Sequence, residues 1–201
     1  IVDSLVGSEM CIRDRFGGID ILVANAGFAS VALFEKTSTK LWDKNMDILS
    51  KGCFLISREV YQKMIEQNNG GSIIFVSSKN SLSASKGASA YSVAKSSLLH
   101  LSRLIALEGS AYKIRSNVVN PDAVIQGSKI WKGDWKKQRA ISNKISINNV
   151  EEFYKNRSLL KESILPEDIA EGIYFFASSK SKKSTGNIIN VDGGNITSFT
   201  R

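Results

Sequence analysis

A tyrosine and a lysine four residues apart, Tyr91 and Lys95, are the residues of this sequence best placed to move a proton. Residues at this spacing share one face of a helix, so we expect both side chains to reach the same pocket. A phenol is a weak acid whose ordinary pKa is about 10. A nearby ammonium group favours the phenolate and lowers that pKa. The pair by itself is weak evidence, because many helices contain one by chance.

The surroundings of the pair strengthen the argument, because polar and turn-forming motifs follow several short apolar runs. Ser78 follows one such run, Asn25-Ala26-Gly27 follows another, and Asn120-Pro121 closes a third. In an open α/β sheet, ligands bind at the carboxyl ends of the strands. We therefore expect these motifs to converge with Tyr91 on one crevice. There the Ser78 hydroxyl would bond the oxygen that Tyr91 protonates or deprotonates.

The elements that must position these residues alternate between strands and helices. Short apolar runs predict strands at residues 19–23, 73–76, 116–119 and 188–191. Longer segments predict helices at residues 41–66, capped by Thr37 or Ser38, at residues 90–107, and from Pro166 onward. This alternation predicts an α/β fold with a doubly wound parallel sheet and helices on both faces. Residues 127–160 form a polar insertion that contains two tryptophans.

Composition narrows the class of protein. A chain of 201 residues suits one domain, and no apolar run is long enough to span a membrane. Two cysteines, Cys11 and Cys53, make no disulfide framework, so a cytoplasmic location is expected. The net charge of +8 comes from scattered lysines, which favours an ordinary basic surface over nucleic-acid binding. The densest basic cluster, residues 129–139, falls beside the expected site. No spacing suggests a metal site.

The chain begins with isoleucine, and its first residues have an unusual sequence. The run Met10-Cys11-Ile12-Arg13-Asp14-Arg15 resembles the translation of a transposase end sequence used to prepare sequencing libraries. We therefore expect residues 1–15 to be translated adapter. The alternative is an ordinary polar N-terminal segment. Residues 16–201 are expected to be the C-terminal part of a single domain.

Taken in order and at their spacing, the motifs from Phe16 to Arg201 resemble the later two-thirds of a short-chain dehydrogenase/reductase. The motifs that carry the resemblance are Asn25-Ala26-Gly27, Ser78, Tyr91-x-x-x-Lys95, Asn120-Pro121, Thr185-Gly186 and Val191-Asp192-Gly193-Gly194. The resemblance implies a Rossmann-like fold in which strands four to seven are present, and strands one to three, with the Gly-rich phosphate-binding turn, are missing.

The resemblance also implies a role for each site residue. Tyr91 is the acid/base, Lys95 lowers its pKa and bonds the nicotinamide ribose, and Ser78 orients the carbonyl or alcohol. The residues expected near the coenzyme, besides Tyr91 and Lys95, are Asn25, Ala26, Gly27, Pro121, Asp122, Ala123 and Val124. NAD is the expected coenzyme, and NADP is not excluded, because the segment that distinguishes them precedes residue 16.

Three positions depart from the family pattern. The usual helix asparagine that holds a water of the proton relay is Leu49; Asn45, one turn earlier, either substitutes for it or is a solvated helix residue. The glycine usual after Asn120-Pro121 is Asp122. The threonine usual a few residues later corresponds to Gln126, and Ser128 could replace it.

The insertion and the C-terminal tail resemble one subgroup, the dehydrogenase part of bifunctional rhamnulose-1-phosphate aldolase/short-chain dehydrogenases. That resemblance implies oxidation of L-lactaldehyde to L-lactate and an aldolase domain fused upstream. The alternatives are a generic ketoreductase of sugars or acyl chains, a noncatalytic binding protein on the same fold, and a fragment that is inert because the dinucleotide-binding turn is missing.

Two further expectations concern the substrate pocket and the assembly. Trp131 and Trp135 are four residues apart and either share a helical face over the pocket, as substrate residues, or pack against the core. The family commonly forms homodimers or homotetramers through the helices predicted at residues 41–66 and 90–107.

Overall fold

The computed structural model describes residues 17–199, so the predicted adapter segment lies outside the described residues. Its strands are β1 (Ile21–Ala24), β2 (Gly71–Val76), β3 (Ile114–Pro121) and β4 (Ile188–Val191). Its α-helices are α1 (Thr39–Asn45), α2 (Gly52–Gln67), α3 (Ser89–Gly109), α4 (Asp134–Asn143), α5 (Val150–Arg157) and α6 (Pro166–Ala177). Short 3-10 turns lie at Phe34–Lys36, Lys79–Ser81, Ser110–Tyr112, Ile130–Lys132, Ile147–Asn149, Ser179–Ser181 and Ile196–Ser198.

The four strands form one parallel sheet in the order β1-β2-β3-β4. The strand register aligns Ala24 with Phe75, Val76 with Val119, and Pro121 with Val191. The residues that follow each strand therefore meet at one edge of the sheet. This alignment brings the strand-end motifs identified in the sequence into a single crevice, as the parallel fold predicted.

The sheet is covered on both faces, because neighbouring residues of a strand point to opposite sides. Ile73 and Phe75 of β2 belong to one core cluster, which includes residues of α2 and α3. Ile74 and Val76 of the same strand belong to a second cluster, which includes Phe176 of α6. All four of these β2 side chains are at most 7% exposed. The α/β, Rossmann-like parallel fold expected from the sequence is thus confirmed; the proposed loss of three strands stays a prediction.

The helix predicted at residues 41–66 is a longer helical segment with a local irregularity. Ser38 caps α1 by accepting a hydrogen bond from the backbone of Leu41 at 3.2 Å. Between α1 and α2, Met46–Lys51 adopt a π-helical turn, a feature that frequently occurs near functional sites. The segment ends at Asn68, which takes a left-handed conformation at φ 53°. Leu49, which belongs to the π-helical turn, is fully buried.

The polar insertion folds into two short helices, α4 and α5, joined by tight turns. After the insertion, Pro166 opens α6, and the Asp168 carboxylate accepts a hydrogen bond from the backbone of Leu165 at 2.8 Å, as expected for this helix start. In the part of the chain the structure describes, no helix is both long and apolar enough to cross a bilayer.

Candidate active site

A cavity of about 610 Å³ opens at the carboxyl edge of the sheet. All twelve site residues named from the sequence line it. They are Asn25, Ala26, Gly27, Ser78, Tyr91, Lys95, Pro121, Asp122, Ala123, Val124, Trp131 and Trp135. The parallel register explains this convergence, because it brings loops that are far apart in sequence to one edge of the sheet. The chemical roles of these residues remain predictions.

Tyr91 and Ser78, the predicted acid/base and its hydrogen-bonding partner, both line the cavity. Ser78 follows β2 in an extended conformation, and Tyr91 lies in the first turn of α3, so two elements bring their hydroxyl groups together. Burial raises the pKa of Tyr91 above its ordinary value; a hydrogen bond with Ser78 acts in the opposite direction, and the Asp122 carboxylate adds to the rise. A protonated phenol beside a serine hydroxyl can donate a proton to a carbonyl oxygen held between them.

Lys95 lies one helical turn beyond Tyr91 and is buried. Its ammonium group donates a hydrogen bond to the carbonyl of Val76 at 2.8 Å, and the Ser77 hydroxyl donates one to the Lys95 carbonyl at 2.9 Å. Burial lowers the pKa of Lys95 to about 8, against a smaller opposite effect from Cys53. The lowering of the Tyr91 pKa by Lys95 stays a prediction.

Leu49, in place of the family asparagine, packs beside this lysine. A β-carbon placed on Gly27 would lie 3.5 Å from Leu49 Cδ2 and 3.9 Å from Lys95 Nζ, so all three meet below the cavity. Asn45 is fully buried, which excludes the solvated alternative. Its amide nitrogen donates to Ser30 Oγ at 3.1 Å and to a backbone carbonyl, and it does not line the cavity. Its amide oxygen is buried and has no hydrogen-bond partner in the described part of the chain, so its replacement of the family asparagine stays a prediction.

The coenzyme expected from the resemblance fits the described residues at its nicotinamide end. Gly27 has no side chain, and a β-carbon placed there would lie within 3.9 Å of Lys95 Nζ. The segment from Pro121 to Val124 forms the facing part of the lining, and Ser128, not Gln126, reaches the cavity from beyond it. Gln126 instead donates a hydrogen bond to Glu151 at 3.1 Å on the surface.

Asp122, which replaces the usual glycine, ties three segments together beneath the cavity. Its carboxylate accepts hydrogen bonds from Arg157 of α5 at 2.7 and 2.5 Å and from the Asn195 amide at 2.9 Å. The Asp122 side chain is 9% exposed and that of Arg157 is 24% exposed. The carboxylate therefore joins the insertion and the C-terminal segment to the end of β3. The sequence showed that Asp122 departs from the family pattern, but it did not suggest that Arg157 and Asn195 bind its carboxylate.

Replacing Asp122 by alanine is expected to lower the free energy of unfolding by about 2–3 kcal/mol, because Arg157 would be left partly buried without its partner. Urea denaturation followed by circular dichroism measures this change. Asp134→Ala is the control, since its ion pair with Lys137 is exposed on both sides. An equal loss of stability in the two variants would contradict the structural role of Asp122.

The two tryptophans of the insertion lie in the lining of the cavity, and Trp135 contacts Tyr91. Trp135 of α4 lies 5.5 Å from Tyr91 between ring centroids, and Trp131 lies 6.2 Å from Trp135. Both line the cavity, whereas the shared helical face that their spacing predicted is wrong. They do not share a helix: Trp131 is in a 3-10 turn, and Gly133 separates it from α4. The extended backbone at Gly133 breaks the helical path that the four-residue spacing suggested.

Two buried cations in the lining were not identified as site residues from the sequence. Lys79 directly follows Ser78, and Arg139 lies on α4; they are 6% and 5% exposed. Burial lowers the pKa of Lys79 to about 8, and the positive charges of Arg157 and Arg139 add to this effect while carboxylates oppose it. The basic cluster at residues 129–139 was the available signal for Arg139. Nothing in the sequence distinguished Lys79 from the surface lysines.

Comparison with known proteins places this fold and site in a family. The family model described as enoyl-(acyl carrier protein) reductase matches residues 10–195. The chain is 52% identical over 186 residues to an uncharacterized oxidoreductase of Bacillus subtilis, YuxG, covering 92% of this chain and 27% of that protein. It is 31% identical over 195 residues to the 3-oxoacyl-[acyl-carrier-protein] reductase of Rickettsia conorii, covering 96% of this chain and 75% of the reductase.

A solved structure agrees with the sequence comparisons. Sorbitol-6-phosphate 2-dehydrogenase from Erwinia amylovora superposes with a TM-score of 0.91 at 29% identity, covering 97% of this chain and 75% of that one. Fold and comparisons together define the class as an oxidoreductase built on a Rossmann-type sheet. Within it, the chain belongs to the short-chain dehydrogenase/reductase family. Members of this family use NAD or NADP. The chain spans little more than a quarter of the length of the Bacillus relative.

Proposed function

We propose that the intact protein transfers hydride between a nicotinamide coenzyme and a small hydroxyl or carbonyl compound, with Tyr91 as its acid/base. The observation that supports this most directly is the position of Ser78, Tyr91 and Lys95 at the carboxyl edge of a parallel sheet, in one cavity with Gly27 and the segment after Pro121. The coenzyme accepts or supplies the hydride when bound. NAD is the proposed coenzyme, and NADP is the alternative.

In the reductive direction, Tyr91 donates its proton to the substrate oxygen as hydride reaches the carbonyl carbon, which gives an alcohol. In the oxidative direction, the phenolate accepts the alcohol proton as hydride leaves. Ser78 hydrogen-bonds the same oxygen and orients it. Lys95 supplies a buried positive charge one turn away and holds the ribose of the coenzyme. Trp131 and Trp135, which line the pocket, exclude water from it.

For the particular substrate, we propose L-lactaldehyde, which is oxidised to L-lactate, in a protein that also carries an aldolase domain upstream. The support is the resemblance of the insertion and tail to such bifunctional proteins. In this reaction the aldehyde is first hydrated, and Tyr91 removes a proton from the hydrate. The second candidate is a ketoreductase of sugars or acyl chains, which the similarity to a 3-oxoacyl-[acyl-carrier-protein] reductase favours.

The substrate assay that separates these candidates uses the intact protein. Lactaldehyde oxidation with NAD is expected to exceed reduction of a β-ketoacyl thioester with NADPH in kcat/KM, measured by nicotinamide absorbance. The matched controls are Tyr91→Phe and the same assays with the coenzymes exchanged. Preferential reduction of the thioester would overturn the lactaldehyde proposal and leave the ketoreductase. Absence of turnover with either coenzyme on both substrates would contradict both.

The assembly and location of the protein are also proposals. We infer a homodimer or homotetramer formed through α2 and α3, because both helices have large apolar side chains exposed on their surfaces. These are Phe54, Val93, Leu104 and Leu107, of which Leu107 is 74% exposed. The family forms its interfaces through these helices. A cytoplasmic location is proposed from the use of only two cysteines.

A further inference from the structure

Besides Lys95, two buried cations line the cavity, and the part of the lining that they form is called the cationic wall. Lys79 and Arg139 each have a side chain that is more than nine-tenths buried. Lys79 Nζ donates to the Ser85 hydroxyl at 3.0 Å, and Arg139 donates to the Lys86 carbonyl at 2.9 Å and to the Tyr154 hydroxyl at 3.0 Å. All of these acceptors are neutral.

Neither cation has a carboxylate partner within the described range of residues 17–199. The ion pairs there join other groups, and the one acidic residue in the lining, Asp122, is already bound by Arg157 and Asn195. Buried charges without a partner are costly, and proteins ordinarily pair them. Their retention in an open cavity indicates that the partner is a bound ligand.

A third donor lies on the same wall. The indole N–H of Trp135 is buried and has no hydrogen-bond acceptor in the described part of the protein. Trp135 also contacts both Tyr91, at 5.5 Å, and the Arg139 guanidinium, at 5.9 Å from its ring centroid. Trp135 therefore links the reactive phenol to the cationic wall. The unsatisfied groups here are donors, so the complementary ligand is an acceptor that carries negative charge.

We propose that Lys79, Arg139 and Trp135 form a subsite for an oxyanion group, a carboxylate or a phosphate, on the molecule whose hydroxyl or carbonyl reacts at Tyr91. This inference rests on the proposed function for the position of the reacting oxygen. Arginine binds such groups with two parallel hydrogen bonds, and lysine adds a point charge. The subsite selects hydroxy acids or phosphorylated polyols over their neutral analogues.

The first test measures binding without turnover. Inorganic phosphate and lactate, each compared with chloride at constant ionic strength, are expected to raise the melting temperature of the intact wild-type protein. Lys79→Gln, which keeps a hydrogen bond to Ser85, is expected to lose this protection. The matched control is Lys137→Gln, an exposed lysine on the same helix as Arg139, which should retain it. Equal protection in Lys79→Gln and wild type would overturn the subsite.

The second test measures selectivity, with two matched pairs: a 2-hydroxy acid against the corresponding diol, and a polyol phosphate against the free polyol. The ratio of kcat/KM for the acidic over the neutral compound is expected to fall about 10–100-fold in Lys79→Gln, since hydrogen bonds to charged groups have this strength. The pair that shows the fall identifies carboxylate or phosphate. Arg139→Lys, which keeps the charge and is less disruptive than removal, should reduce the ratio less.

The outcomes separate this inference from the proposed function. Loss of acidic selectivity in Lys79→Gln, together with loss of anion protection, supports the subsite. An unchanged ratio, or wild-type preference for the neutral compounds, refutes the subsite and leaves hydride transfer at Tyr91 standing. Full turnover in Tyr91→Phe refutes the proposed function. A rise in melting temperature with phosphate or lactate that depends on Lys79 would still show that the subsite binds anions.

Discussion

Replacing Tyr91 by phenylalanine is expected to lower kcat/KM of the intact enzyme by about 10²–10⁴-fold, the usual contribution of a general acid or base. The variant keeps the ring that packs against Trp135 and removes only the hydroxyl that bonds Ser78. Its fold and its anion binding should therefore be preserved. The measurement is steady-state turnover with saturating coenzyme in both directions.

Tyr174→Phe provides the matched control for this experiment. Tyr174 lies on α6 and is 58% exposed, so removing its hydroxyl should leave turnover at the wild-type level. A melting curve for each variant excludes unfolding as the cause of a lost rate. If Tyr91→Phe turns over like wild type, Tyr91 is not the acid/base, and the agreement with the family extends only to the fold.

Replacing Lys95 by methionine is expected to move the pH profile to higher pH and to raise the KM for the coenzyme by about 10–100-fold, the loss expected for a charge-assisted hydrogen bond. A nearby positive charge favours the phenolate of Tyr91, so removing it raises the pKa of that phenol. In reduction, Tyr91 must carry its proton, and the rate falls as pH rises through its pKa. That falling limb should shift upward.

In the oxidative direction, the same rise in the Tyr91 pKa lowers the rate at neutral pH. There Tyr91 must lose its proton, so a higher pKa moves the rising limb upward and lowers the rate near pH 7. The pKa of Lys95 itself is about 8, because of its burial. The wild-type profile should contain an inflection near that pH. Neither Lys95→Met nor Lys95→Arg should show this inflection, although Lys95→Arg keeps the positive charge. Identical profiles for wild type and Lys95→Met would contradict the electrostatic role of Lys95.

The insertion connects these two predictions with the anion subsite. Asp122 binds Arg157, and the Arg157 guanidinium lies 4.4 Å from the ring centroid of Tyr154, whose hydroxyl accepts from Arg139. One series of contacts thus runs from the end of β3 to the cationic wall. Substitutions at Asp122 should therefore affect acidic selectivity as well as stability, by displacing Arg139.

The sequence alone determined the layers of the fold and the common helical face of Tyr91 and Lys95. Apolar runs that alternate with long helical segments leave a parallel sheet as the consistent arrangement, because each run must be buried on both faces. The four-residue spacing of Tyr91 and Lys95 places both on one helical face, whatever the rest of the chain does. Strand-end motifs predicted the location of the cavity because parallel strands end at the same edge.

Only the tertiary structure decided which side chains complete the site. Lys79 and Arg139 are 60 positions apart and look like surface cations in the sequence; the fold buries both in one wall, without carboxylate partners in the described residues. Asn45 is fully buried, like Leu49, and the π-helical turn between α1 and α2 is local backbone geometry that residue types do not reveal. Burial and ion pairing depend on contacts between segments distant in sequence, so they follow from the packing of the insertion against the sheet and not from any local pattern.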